Sequence, residues 1–166
     1  MVKLNISGYS EGLSTEKRTI QSSDVDLNDQ EFYHPIDLLF NINKIGSEVF
    51  LQARINTLVA LVCDRCLAEY KYALNEIVNI VCTIDNNLIT DDEDDIYFIS
   101  EATHEINIAD SIRDALILNI PQKKLCNEKC KGLCAQCGVN LNEKTCNCTS
   151  EKIDPRWEAL KKIKFN

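Results

Sequence analysis

The stretch Val49-Phe50-Leu51-Gln52-Ala53-Arg54-Ile55-Asn56-Thr57-Leu58-Val59-Ala60-Leu61-Val62 decides the fold. Val49, Leu51, Ala53, Ile55, Val59 and Leu61 share one parity, and Gln52, Arg54 and Asn56 take the other. Side chains of a strand alternate between its two faces, so this pattern specifies a long strand with one face on a core. The pattern extends both ways. Upstream, Phe32, His34, Ile36, Leu38, Phe40 and Ile42 share a parity opposed by Asn41 and Asn43, and Pro35 suits the start of that strand or an edge position. Downstream, Tyr70, Tyr72, Leu74, Val78, Ile80, Cys82 and Ile84 form a third stripe. Only a turn-like interval around Gly46 and the segment Cys63-Asp64-Arg65-Cys66 separate the three. Short links between alternating strands favour an antiparallel meander.

The flanks are less regular. Residues 2–6 alternate and predict a first strand, whereas 7–31 hold Gly8, Gly12 and several serines with no sustained period and read as loop or weakly ordered connection. Residues 96–99 suit a short strand. Ile108, Ile112, Ala115, Leu116 and Ile120 recur at three- and four-residue steps, which predicts a helix over 107–120 capped by Asn107 and stopped by Pro121. Asp154-Pro155 opens a terminal helix whose apolar stripe is Trp157, Leu160 and Ile163. The expected class is α+β: an antiparallel β meander core, one helix after the sheet, a Cys-rich metal-binding segment and a short C-terminal helix.

Eight of the nine cysteines carry the chemistry. Cys63 and Cys66 sit at the reversal between the second and third stripes, and Cys126, Cys130, Cys134, Cys137, Cys146 and Cys148 crowd the tail. Close thiolate pairs at tight turns hold a tetrahedral cation, and two pairs complete a four-thiolate zinc shell. Cys134-Ala135-Gln136-Cys137-Gly138 with Cys146-Asn147-Cys148 makes one local site. Cys63, Cys66, Cys126 and Cys130 then remain for a second, and Cys82 stays in the core as a small hydrophobe. Other arrangements stay open: one zinc on Cys63, Cys66, Cys134 and Cys137, an iron–sulfur cluster, or a redox pair at Cys63 and Cys66. The odd count and a start without a signal-peptide pattern argue for a reducing cytoplasm over a disulfide framework. The longest apolar run, 58–62, is far too short to span a bilayer.

Catalysis finds little purchase. His34 lies in a strand stripe and His104 in a polar stretch, neither near a cysteine pair, and no P-loop, nucleophile elbow, Rossmann turn or HExxH occurs. A closed structural site and a protein that is not an enzyme are the expectation. The run Asp91-Asp92-Glu93-Asp94-Asp95 lacks the punctuation of a calcium loop and reads as a solvated face.

The net charge of −8 is unevenly placed. Residues 1–120 carry 8 Lys and Arg against 21 Asp and Glu (−13), and residues 121–166 carry 10 against 5 (+5). The chain divides accordingly into an acidic β-rich core, 1–120, and a basic Cys-rich tail, 121–166, packed as one unit. The tail permits a nucleic-acid contact through Arg65, Lys123, Lys124, Lys129, Lys131, Lys161, Lys162 and Lys164. The acidic core permits instead an adaptor for a basic protein, and a thiol redox sensor is a third reading.

Val62-Cys63-Asp64-Arg65-Cys66-Leu67 resembles the central CxRCL signature of the YceD family, the large ribosomal RNA subunit accumulation proteins. Leu118-Asn119-Ile120-Pro121, Cys126, Cys130-Lys131-Gly132-Leu133-Cys134, Cys137-Gly138-Val139-Asn140-Leu141-Asn142, Cys146, Cys148 and Asp154-Pro155-Arg156-Trp157 resemble its tail, so that the likeness runs from about residue 30 to the end. The resemblance implies a bacterial cytoplasmic factor, without catalytic residues, that supports synthesis, processing or stability of large-subunit (23S) ribosomal RNA. The partners it implies are ribosomal RNA or pre-ribosomal particles, reached directly or indirectly; a basic ribosomal protein is the partner that the acidic core permits, and neither a membrane nor a small-molecule substrate is expected. One or two structural zinc ions are the expected cofactor.

Overall fold

A computed structural model describes residues 1–28, 30–84, 95–148 and Arg156. Residues 91–94 of the acidic run, and the expected terminal helix with Trp157, Lys161, Lys162 and Lys164, lie outside the described residues.

In chain order the strands are β1 (Lys3–Asn5), β2 (Gly12–Ile20), β3 (Ile36–Ile45), β4 (Glu48–Val62), β5 (Glu69–Thr83), β6 (Asp95–Phe98) and β7 (Glu105–Asn107), followed by helix α1 (Ala109–Leu118). The main sheet runs β2-β3-β4-β5-β6, and β1 pairs with β7 in a separate ribbon. β3, β4 and β5 form the antiparallel meander that the three stripes predict, and β2 extends it at one edge. β6 departs from it by joining β5 in parallel.

The register turns the stripes into a core. Leu38 faces Ile55, Phe40 faces Ala53, and Ile42, Leu51 and Ile80 form a row across three strands. Phe40, Ala53 and Ile55 are wholly buried, and the large Phe40 ring is accommodated because its partner is an alanine. Ile108, Ile112 and Leu116 of the helical stripe and Val2, Leu4 and Ile106 of the ribbon enter the same buried cluster. Cys82 sits there too, its thiol pushed up to about 11 by burial. The opposite face of the sheet meets solvent, with Leu13, Phe50 and Ile77 exposed and Gln52 Nε2 donating to Asn79 Oδ1 at 3.3 Å.

Residues 7–31, expected as loop, contain β2 and a 3-10 turn at Ser22–Val25, with another at Ile6–Gly8. β2 hid because its half-buried positions are Gly12, Ser14, Glu16, Arg18 and Ile20, so its inward face carries no apolar period. Polar bonds hold that face instead. Glu16 accepts from the Tyr9 hydroxyl and from Arg18 Nε, and Arg18 Nη1 donates to the Lys3 carbonyl. Burial opposes ionisation of Glu16, yet the bonds from Tyr9 and Arg18 outweigh it and hold the carboxyl below its ordinary value.

Asn107, expected as the helix cap, closes β7 instead, and Ile108 occupies the cap position. Its carboxamide oxygen still accepts from Ala109 N (3.3 Å) as well as from Val2 N (3.2 Å), so it ties the ribbon to the helix start. Phe32 is buried, but β3 begins only at Ile36, just after Pro35. His34 is half-buried, and its Nε2 atom is buried without a hydrogen-bond partner among the described residues.

Truncating Phe40 to alanine removes a fully buried ring from a rigid layer and should cost about 3–5 kcal/mol. Leu13→Ala, at a side chain 85% exposed, should change the urea unfolding midpoint little.

Candidate metal centre

β4 ends at Val62 and β5 begins at Glu69, so Cys63 to Cys66 form the reversal of the longest hairpin. Cys63 N donates to Ala68 O at 2.9 Å and Leu67 N to Cys63 O at 2.9 Å. The turn has no glycine, and Leu67 takes the left-handed conformation instead (φ 58°).

The tail is laid onto this turn by its backbone. Asp64 N donates to Lys124 O at 2.7 Å, and Asp64 Oδ2 accepts from Lys124 N at 2.7 Å. Leu133 N donates to Arg65 O at 3.0 Å. Arg65 Nη1 donates to the carbonyls of Glu128 (3.2 Å) and Cys130 (2.8 Å), so this expected phosphate contact straps the turn to the tail. Gly132 makes the approach possible: its φ is +76°, and a Cβ there would stand 3.0 Å from the Arg65 carbonyl oxygen.

Two groups of four cysteines result. Cys63, Cys66, Cys126 and Cys130 form one; Cys134, Cys137, Cys146 and Cys148 form the other, and within each group the sulfurs all lie within 4.8 Å of one another. In the first, Cys63 Sγ is 3.9 Å from Cys130 Sγ and Cys66 Sγ is 3.6 Å from Cys126 Sγ. A disulfide needs about 2.05 Å. A tetrahedron of metal–sulfur bonds about 2.3 Å long has edges of about 3.8 Å, which the first group matches. Each cluster can hold one metal ion. The mixed set Cys63, Cys66, Cys134 and Cys137 is not among the groups brought together.

The sites differ in shelter. In the first, Cys63, Cys66 and Cys130 are buried against Tyr70, Leu125 and Leu133, and only Cys126 is exposed. In the second, Cys137 and Cys148 are exposed and Cys134 and Cys146 half-buried. It is built on a tight turn in which Gly138 N donates to Cys134 O and Cys134 N to Val139 O, both at 2.9 Å.

Spacing alone does not reveal Asn142. Its Nδ2 donates to Cys130 Sγ at 3.2 Å, and its Oδ1 accepts from Lys131 N at 2.8 Å. A side chain between the cysteines of the second site thereby orients a sulfur of the first. Its place after the Cys137-Gly138 turn was the available signal.

The thiols of each group are driven apart. The Cys126 backbone N–H, helped by those of Cys66 and Arg65 and opposed by burial, pulls Cys63 down to about 6. The Cys137 and Gln136 N–H groups pull Cys134 down to about 6. Hydrogen bonding by Cys66, then burial, pushes Cys126 up to about 12, and Cys137 with burial does the same to Cys148. Each group therefore offers a ready thiolate and a reluctant one, and a cation bound there would replace the proton of the latter.

Of the other expected phosphate contacts, Lys123, Lys129 and Lys131 are exposed. Lys124 is half-buried, its Nζ 3.9 Å from Glu31 Oε1.

Residues 51–164 match the family described as "Large ribosomal RNA subunit accumulation protein YceD". The chain belongs to the YceD family. The match opens in β4, leaving β1 to β3 outside it. Similar proteins include "Large ribosomal RNA subunit accumulation protein YCED homolog 1, chloroplastic" of Arabidopsis thaliana, 25% identical over 81% of this chain and 50% of that one. Its Zea mays namesake is 37% identical over 45% of this chain and 26% of its own. An uncharacterized protein of Mycobacterium leprae is 26% identical over 78% of this chain and 59% of its own. This YceD chain thus spans only part of the length of these relatives. No solved structure matches it. No helix among the described residues is long and apolar enough to cross a membrane.

A chromogenic chelator should strip metal in two phases, with the exposed second site emptying first. Cys137→Ser should remove the fast phase and leave the slow one. Acid should also release metal. A thiol held below its ordinary value of 9.0 contributes stability above that value and loses it as pH falls through its folded pKa, here about 6 for Cys63 and Cys134. Metal content after gel filtration should hold at pH 8 and fall in acid, as protons compete with the cation for the thiolates.

Proposed function

We propose that the protein is a non-enzymatic factor that supports synthesis, processing or stability of large-subunit (23S) ribosomal RNA in the cytoplasm, binding RNA through a zinc-stapled basic surface. The observation that carries this is the placement of Lys123, Lys129 and Lys131, all exposed, along the segment that enters the first cysteine group and leads on to the second. The relatives' printed names support the ribosomal assignment.

Zinc suits the sites on chemical grounds. Four thiolates with no histidine or carboxylate favour a closed tetrahedral shell, which is structural and leaves no open position for a substrate. Each such site carries a net charge of −2, so lysines near it are needed before the surface attracts phosphate at all. The cations fix no sequence preference; they hold the backbone.

The acidic core favours a second reading, an adaptor that binds a basic ribosomal protein, or a nuclease or polymerase subunit, and reaches RNA through it. Salt separates the two. Direct binding should weaken steeply with salt, and Lys123→Glu, Lys129→Glu and Lys131→Glu together should flatten that slope by about 3 units. In depleted cells the large- to small-subunit ribosomal RNA ratio should fall, and the triple variant should restore it less than the intact chain does. Unaltered RNA affinity in the triple variant would move the proposal to the adaptor.

A further inference from the structure

A cleft of 770 Å³ opens beside the metal turn, between the end of the β4–β5 hairpin and the segment that leads into β3. That volume is within the range of small-ligand pockets and admits a nucleotide. Its walls are unusual for an acidic body. Tyr33, 49% exposed, offers one ring, and half-buried Tyr70 offers another. His34 backs the Tyr33 ring, with centroids 4.1 Å apart. Lys71 Nζ lies 5.9 Å from the Tyr33 centroid, the outer limit of a cation–π contact, and the flexible lysine leaves the ring approachable. Lys124, which lines the cleft, belongs to the tail segment that carries the exposed lysines.

The cleft also holds carboxylates, and their states matter. Asp64 is occupied by the Lys124 amide, and Glu31 is paired with the Lys124 ammonium. Glu69 is exposed on the rim. A carboxylate repels phosphate but accepts hydrogen bonds from an exocyclic amino group. An aromatic platform with cations at its edge and a free carboxylate recognises a base, not a backbone.

We propose that this cleft receives one unpaired, amino-bearing nucleobase of single-stranded RNA, stacked on Tyr33, while the neighbouring tail lysines hold the adjoining phosphates. This rests on the RNA-binding reading above and adds to it the form of the RNA. In an A-form duplex the bases are stacked and paired, so only a loop, a bulge or an end can present one. Lys71 swings from the ring to the backbone of the entering nucleotide, and Glu69 accepts from the amino group of cytosine, adenine or guanine.

The test uses the full, zinc-loaded chain and fluorescein-labelled 12-nucleotide oligo(C) and oligo(U), with an RNA hairpin stem as the duplex probe, read by anisotropy at several salt concentrations. Tyr33→Ala should weaken oligo(C) binding about five- to a hundredfold, the range of one lost stacking contact, and leave the salt slope unchanged. Tyr33→Phe should retain binding, and oligo(C) should bind more tightly than oligo(U). Because Tyr33 is half exposed, metal content and melting temperature should match the parent and certify the fold. If the parent binds RNA with a salt slope and Tyr33→Ala binds equally well, the cleft assignment is overturned while RNA binding stands. Tighter binding of the duplex, or equal binding of oligo(U), also overturns it. If the parent binds none of the probes, both the cleft and the RNA reading fall.

Discussion

The tail of this molecule depends on one cross-link: the four sulfurs that join the β4–β5 turn to residues 126 and 130. Cys63 and Cys130 are 67 residues apart in sequence and 3.9 Å apart at their sulfurs. Closing so long a loop costs chain entropy, and something local must offset it. Apolar burial does not suffice, because Leu125, Leu133, Val139 and Leu141 are only half-buried. Backbone bonds from Asp64 and Arg65 fix the register, but each contributes only about 1 kcal/mol. A cation held by the four thiolates would supply the rest, its binding energy then being folding energy for the tail. The sheet stands differently. Phe40, Ile55, Leu74 and Ile80 bury a core that no cysteine ligand enters. Tyr70 touches both clusters and mechanically connects them.

What could be read from the sequence follows from which forces leave a periodic trace. β3, β4 and β5 bury apolar side chains on one face, and alternation reports that directly. β2 is an edge strand whose inner positions are filled by Glu16 and Arg18 in a hydrogen-bonded group, and such a strand has no apolar period to show. The parallel pairing of β6 depends on a crossover and is invisible in a four-residue strand. The cysteine groups were legible because ligand pairs must be close in sequence to share a turn, and elimination then pairs the remainder. Asn142 and Gly132 were not, since each acts on a partner brought near only by the tail's return to the β4–β5 turn: Asn142 on Cys130, Gly132 on the Arg65 carbonyl.

Arg65 has a role that its residue type does not announce. An arginine between two metal-ligand cysteines reads as a phosphate contact, yet the guanidinium has several donors and here directs Nη1 at two carbonyls of the tail. Lys124 is similar, its backbone bonded to Asp64 and its ammonium near Glu31. Among the described tail residues, Lys123, Lys129, Lys131 and Lys144 remain exposed to solvent. The rigid donors build the surface and the mobile ones populate it, the division expected where backbone charge is to be held without a fixed sequence.

Charge then constrains how RNA can lie. A body of −13 repels a phosphate backbone, and the attraction of the tail lysines falls off over a Debye length of about 8 Å in physiological salt. A long duplex laid along the sheet would place many phosphates against that body for a few favourable contacts. A single strand touching at the metal turn would avoid this by bending away after one or two nucleotides. The same negative charge would attract a basic protein segment to the body, a surface separate from the exposed tail lysines. On the RNA-binding reading proposed above, an acidic body and a basic tail joined through the first cysteine group would offer an RNA end and a cationic protein different surfaces.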